Sequence, residues 1–338
     1  MSEYKKKVDF ANFVCHFGAD ELLTYLSEIV LPAFKGDYIR TYGDETMFLY
    51  DVEIVNIKEN DESNEVVVTG QFVVDTKFKR TQIFSEKIIP DSASMEVALS
   101  AFFVLRLRDH KLIYVKEVSG APGLAKFRTT IESFFKKSRN DYIDKLFEEL
   151  KTQKELGLID KKVTKKSIAE SIGVPNLEIL SLPGKGSLSS FIKQFKILNE
   201  IQVRMVKPNN ELDNSGLFRG LRSVNKKLDS EVTTITYRNP EGLTKNNVQE
   251  QLEGALDGNS ELKFKGKRDD GSKLNGSNED FTVSIPIEKI PKERKTAADF
   301  LNRLFKDLVK NGSLSVARTD PKQSHAKKLD ELTQSISK

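Results

Sequence analysis

Apolar positions along this chain repeat with two different periods, and the change between them falls near residue 120. Before it, apolar residues alternate or run continuously, the pattern of strands. Lys7–Phe17, Asp51–Lys58, Val66–Val74 and Thr81–Ile89 have this β-rich character, with Gly70 inside the third run. The polar stretch Glu59–Glu65 closes two of these runs into a hairpin. Ala98–Arg108 and Lys111–Val118 flank Asp109-His110 and predict a second hairpin with a short turn. One helix interrupts the strands over Ala19–Leu31. Its Leu22, Leu23, Leu26, Ile29 and Val30 fall at helical spacing, and Pro32 is expected to stop it.

Beyond Gly120-Ala-Pro-Gly123 the helical period takes over. Helices are predicted over Leu124–Lys137 and Asp141–Leu156. Farther on, the pattern predicts a helix at Leu188–Leu198, a strand at Glu200–Val206, a basic helix at Leu217–Leu228 and a strand at Val232–Tyr237. Leu243–Leu256 reads as a helix, with Thr244 as N-cap and Gly258 just past its end. The alternating Glu261–Lys267 and the run Asp280–Ile287 are expected to pair across the Gly-rich turn Asp269–Ser277. A last helix is predicted over Thr296–Lys310, and the polar tail after Val316 is expected to fray. Thr164–Leu182 has two readings. Ala169, Gly173, Val174, Ile179 and Leu182 match a helix-turn-helix, but its recognition helix would present Asn176, Glu178 and Ser181, with no basic residue for phosphate. A strand at Leu177–Leu182, ended by Pro183, is preferred.

Strands gathered first and helices with a few strands later imply an α+β fold. The expected organisation is a sheet-rich domain over residues 1–120, a helical connection over 121–160, a second α+β domain over 161–316 and a flexible tail over 317–338.

Charge sharpens that division. Residues 1–120 hold 14 Lys and Arg against 20 Asp and Glu, a net −6, whereas residues 121–338 hold 40 against 30, a net +10. The densest stretch, 185–227, has nine basic residues against three acids. Such asymmetry points to a polyanion partner. Lys and Arg stand in two rows. Arg219, Arg222, Lys226 and Lys227 share a face of the basic helix, and Lys263, Lys265 and Lys267 share a face of the alternating strand, with Arg268 at its turn. Either row suits a phosphate backbone, and either can be a solvated face.

Other chemistry is thinly represented. Cys15 is the single cysteine, so no internal disulfide can form. It cannot pair with His16 as a nucleophile, because adjacent strand residues point to opposite faces. His16, His110 and His325 are too scattered for a zinc site. Pro183-Gly-Lys-Gly-Ser187 lacks the upstream glycine that a phosphate-binding loop needs. Glu261-Leu-Lys263 has the Glu-x-Lys spacing of a metal-dependent nuclease, with Glu241, Glu253 and Asp257 as upstream acids. Mg²⁺ is expected only on that reading; otherwise no cofactor is expected. No apolar run reaches the ~20 residues that cross a bilayer, and no apolar segment follows the lysines of MSEYKKKVDF. The cytosol is the expected compartment.

The strand–turn–strand Ala101–Val118 followed by Gly120-Ala-Pro122 and a helix resembles the RexA phage-exclusion proteins. The later order is similar too: a helix near Phe191, Ile201–Pro208, a basic helix, then a hairpin over Leu262–Ile287. A weaker similarity is to the DNA-binding B component of the Kiwa defence system. This resemblance is one of element order over about two thirds of the chain, without a catalytic motif, and the segment Asn140–Lys166 is longer than the pattern. It implies a two-domain, often dimeric protein that binds DNA without strong sequence preference and acts against phage.

Together these readings give a nonspecific nucleic-acid-binding protein, DNA first, as the leading expectation. A metal-dependent nuclease at Glu261 and Lys263 is the alternative. A third is a protein-interaction module, with residues 1–120 offering edge strands to a second copy or a partner protein.

Overall fold

Ten consecutive residues near the N-terminus, Val8–Phe17, are all buried. They belong to strand β1 (Lys6–Phe17), the organising element of the molecule. A strand buried along its whole length needs cover on both faces, and the rest of the chain supplies it. The computed structural model describes residues 5–59, 63–84, 87–159, 163–209, 216–228, 230–252, 259–316 and 322–336.

After β1 come β2 (Asp20–Glu21), a 3₁₀ turn (Leu22–Tyr25), a π turn (Leu26–Val30) and α1 (Leu31–Lys35). Strands β3 (Ile39–Tyr42), β4 (Glu45–Glu59), β5 (Ser63–Phe84), β6 (Lys87–Arg106) and β7 (Lys111–Lys116) follow. Helices α2 (Leu124–Glu155) and α3 (Lys165–Ile172), strand β8 (Pro175–Ser181), helix α4 (Lys185–Lys193) and strand β9 (Ile197–Val206) come next. The chain continues through α5 (Gly216–Lys227), β10 (Val232–Arg238), α6 (Lys245–Leu252), β11 (Ser260–Lys267) and β12 (Lys273–Ser277). It closes with β13 (Ser284–Ile287), α7 (Arg294–Lys310) and α8 (Gln323–Ile336).

The fold is α+β. An antiparallel sheet ordered β13-β1-β7-β6-β5-β4-β3 curls into a half-barrel, with β2 and β8 also paired to β1. Alternation along β1 assigns its two faces. Ala11, Phe13, Cys15 and Phe17 join a core with Phe127, Ile131, Phe134 and Phe135 of α2. Val8 and Phe10 join a second core with Ala297, Leu301, Phe305 and Leu308 of α7. A smaller antiparallel sheet is ordered β10-β9-β11-β12. Its inner face, Ile201, Val203, Met205, Leu262 and Phe264, packs on Leu188, Phe191 and Ile192 of α4, Phe218 of α5 and Leu252 of α6.

Several expectations change for physical reasons. The boundary near residue 120 is crossed: β8 pairs with β1 from Ala11 to Phe17 and β13 pairs with it from Lys6 to Asp9. The Asp280–Ile287 run therefore does not return to β11, whose hairpin partner is the nearer β12, with Lys267 opposite Lys273. Leu124–Glu155 is one helix rather than two: Ser138 and Arg139, between the two predicted helices, are buried within it, with Ser138 donating to the Ile29 carbonyl at 2.8 Å. Pro32 does not end the first helical segment but sits in the first turn of α1, where a missing N–H costs nothing. Thr81–Ile89, expected as one strand, is divided between β5 and β6. The helix predicted from Leu188 starts at Lys185, and its last residues, from Ile197, already belong to β9.

Thr164–Leu182 holds one helix and then the preferred strand, not a helix-turn-helix. Thr164 and Ser167 form a capping box on α3, and Gly173 (φ 71°) lets the chain turn into β8. A Cβ on Gly173 would lie 2.6 Å from the Gly18 backbone, so only glycine permits this approach of β8 to the end of β1. The expected flexible tail contains α8, which docks Leu329 and His325 in buried positions.

Candidate nucleic-acid interface

Strand β11 alternates as its sequence predicts: Ser260, Leu262, Phe264 and Gly266 are buried, while Lys263, Lys265 and Lys267 are exposed. The pairing registers extend this exposed face across all four strands. Lys263 lies opposite Gln202 on β9 and Ser277 on β12, Lys265 opposite Glu200 and Asn275, and Glu261 opposite Arg204. On β10, Thr234, Thr236 and Arg238 stand opposite Arg204, Gln202 and Glu200. The result is a polar face, open along β11 and met by β8 at Arg204, on which Arg204, Arg238, Lys263, Lys265, Lys267 and Lys273 outnumber Glu200 and Glu261.

Some of these charges are engaged. Lys265 donates to Glu200 Oε1 at 2.8 Å and Arg238 Nε donates to its Oε2 at 2.8 Å. The hydrogen bond from Lys265, with that from Arg238, holds the Glu200 carboxyl below its ordinary range. Glu261 sits 3.7 Å from Arg204 and 3.2 Å from Lys263, and Arg204 also bonds Glu178 of β8, tying the two sheets together. Lys267 and Lys273 are different. They face one another directly in the register, are exposed, and form no ion pair among the described residues. Like charges directly opposed across strands destabilise a sheet. Arg268 follows at the turn, where Asp270 is turned back to accept from the Ser272 amide at 2.8 Å.

The helical row has a different fate. Phe218 and Leu221 pin α5 to the inner face of this sheet, on the side away from the lysines of β11. The two rows therefore lie on opposite sides of one sheet and form no single surface. Arg219, Lys226 and Lys227 are exposed. Arg222 is not available in the same way: it donates to the Val206 carbonyl and, at 3.4 Å, to the Asn259 carbonyl. It ties α5 to the end of β9 and the start of β11, which is a structural role.

For the nuclease reading, Glu261 and Lys263 do share a face, but each is the other's ion-pair partner. Glu253 and Asp257 lie outside the described residues. Among the described residues no cluster of three or more His, Cys, Asp or Glu is placed to hold a metal ion. Cys15 is fully buried, and burial pushes its thiol pKa well up. Among the described residues no helix is long and apolar enough to cross a membrane.

Three residues of the open face, Arg204, Arg238 and Lys273, escaped the sequence reading. Their signal was present: Glu200, Gln202 and Arg204 alternate with Ile201, Val203 and Met205, so a strand already predicted had a polar face to be read. No protein-family model matches the chain, and no curated protein matches its sequence.

Proposed function

We propose that this protein binds nucleic acid, duplex DNA first, without base preference, through the open face of the β10-β9-β11-β12 sheet. The observation that supports the reading is the facing pair Lys267 and Lys273 beside Lys263 and Lys265. A pair that costs the free protein stability is relieved when a polyanion neutralises it. The face offers cations to phosphates, and phosphate contacts carry no base information. A role in limiting phage growth follows from the resemblance in element order, and the cytosol is where such DNA would be met. Lys263→Glu/Lys267→Glu provides the test, with fluorescence anisotropy on duplexes of unrelated sequence at several salt concentrations. Affinity should fall equally for all sequences, and the log–log salt slope should shrink by roughly 2. A folded double mutant with wild-type affinity and slope overturns the assignment to this face; wild-type protein with no affinity at low salt overturns nucleic-acid binding altogether.

A further inference from the structure

Every open sheet edge invites another strand, and proteins blunt such edges with shortness, charge, proline or a cover. Among the described strands the edges of this molecule are treated unequally. β13 carries Pro286. β3 has four residues, and its Arg40 is anchored to Thr129 at 2.7 Å. β12 has five residues with Lys273 at its start and Gly276 within. The free side of β8 is covered by α2, whose Arg128 donates to the Leu177 carbonyl at 3.0 Å. β10 is the least protected, with a single charge, Arg238, at its last position. Val232–Tyr237 is an uninterrupted β-prone run (VTTITY) with no charge, glycine or proline.

The geometry of β10 makes this edge ready to pair. Lys207 donates to the Glu231 carbonyl and Asn239 donates to the Asn199 carbonyl, so odd-numbered residues bond β9. By the alternation of an antiparallel ladder, the N–H and C=O groups of Val232, Thr234, Thr236 and Arg238 point outward. Beside this edge, on the face that α5 covers, apolar side chains stand exposed: Val224 and Leu228 of α5 are 51% and 72% exposed and Tyr237 of β10 is 44% exposed. Helix and strand are joined there by Thr233 donating to Asn225 Oδ1 at 2.7 Å.

We infer that β10 is a self-association edge, and that its occupant is β10 of a second copy of this chain. The strand is complementary to itself. A two-fold axis at Ile235 sets Thr234 against Thr236 of the copy and Val232 against Arg238, which satisfies the outward groups in the correct alternation. It opposes no like charges, since Val232–Tyr237 has none, and on the α5 face it sets Tyr237 of each copy against Thr233 of the other. The two four-stranded sheets then form one eight-stranded sheet with both open faces on the same side. The β11 rows stand five strand spacings apart, about 24 Å along the sheet. The dimer itself does not rest on the nucleic-acid reading, because it rests on the backbone pairing of the edge, whereas that reading is electrostatic.

Sedimentation velocity on the full chain at micromolar concentration and high salt tests it. The wild type should sediment as a dimer. Thr236→Pro removes an outward N–H without touching the β9 ladder, and should raise the dimer dissociation constant at least roughly tenfold. Thr234→Lys/Thr236→Lys, which alters only exposed side chains and opposes like charges across the axis, should do the same in a protein with an unchanged circular dichroism spectrum. A monomeric wild type overturns the inference, and so does a folded lysine variant that stays as dimeric as the wild type. If the edge serves an extended peptide of another protein instead, the wild type will be monomeric. A dimer that forms with no affinity for DNA leaves this inference standing and removes the proposed function alone.

Discussion

The two sheets of this protein hold the same chemistry in opposite settings. In the closed sheet a cation lies between acids: Arg106 donates to Glu65 Oε2 at 2.9 Å and to Asp109 Oδ1 at 3.0 Å, with Asn302 and the Phe305 ring of α7 completing its cage. In the open sheet an acid lies between cations, Glu200 between Lys265 and Arg238. The Arg106 side chain is 8% exposed, and those of Lys265 and Arg238 are 59% and 69% exposed. Burial separates the two roles. A buried ion network holds parts together because breaking it strands charges away from water, whereas an exposed one contributes little to stability and leaves its charges available to a partner. Burial alone would push the Asp109 carboxyl pKa up, yet the charges of Arg106 and Lys111 hold it below the ordinary value. The network joins α7 to the sheet through Asn302 and Phe305.

The largest effect should come from breaking the closed network. Arg106→Ala removes the buried cation between Glu65 and Asp109, and should cost about 3–5 kcal/mol in urea unfolding. Lys265→Ala, its counterpart on the open sheet, should cost less than about 1 kcal/mol. Comparable losses for the two would erase the distinction.

A middle effect should come from α5, where the row of basic residues is divided between the two roles. Arg222→Ala removes hydrogen bonds to the carbonyls of Val206 and Asn259, and should cost about 2 kcal/mol. Lys226→Glu, one turn farther along and exposed, should change stability by less than about 0.5 kcal/mol. Differential scanning calorimetry of the two variants separates tether from surface charge. An Arg222 variant as stable as the wild type would return that side chain to the surface row.

What the sequence made legible follows the same line. Strands buried on both faces, such as β1 and β7, announce themselves as continuous apolar runs, and α5 and α7 announce themselves by spacing. The class of fold was therefore readable. Partnerships over long distances were not. Nothing local in Ser284–Ile287 says that it will leave β11 and pair with β1. Nor does the spacing of Arg219, Arg222, Lys226 and Lys227 say that Phe218 will turn α5 to the side of the sheet away from Lys263. β3, with Ile39 and Tyr42 exposed, lacks the apolar face that marks a strand. α8 was hidden in a polar tail because only Leu329 and His325 of its residues are buried. On the candidate face, the β11 lysines were legible as an alternation. Arg204, Arg238 and Lys273 became part of it only through pairing across strands.

A small change in stability should accompany an informative change in binding. Glu200→Gln keeps the shape of the side chain and its acceptor oxygen but removes the charge that holds Lys265 and Arg238 on the open face. Glu200 is buried, but its cation partners Lys265 and Arg238 are exposed to water, so the cost in urea unfolding should stay below about 1 kcal/mol. The face, however, gains one positive charge, and two cations are released toward any phosphate that reaches them. On the proposed function, affinity for duplex DNA at low salt should rise and the log–log salt slope should steepen by roughly 1–2. The rise should be the same for unrelated sequences, since the released groups meet phosphate rather than base edges. Combining the change with Lys263→Glu/Lys267→Glu distinguishes a local from a global effect. If Glu200 acts through its neighbours on this face, the gain should shrink in the triple variant, because adjacent charges are not additive. An undiminished gain would mean that Glu200→Gln works only through the net charge of the molecule, and that the phosphates approach from another side.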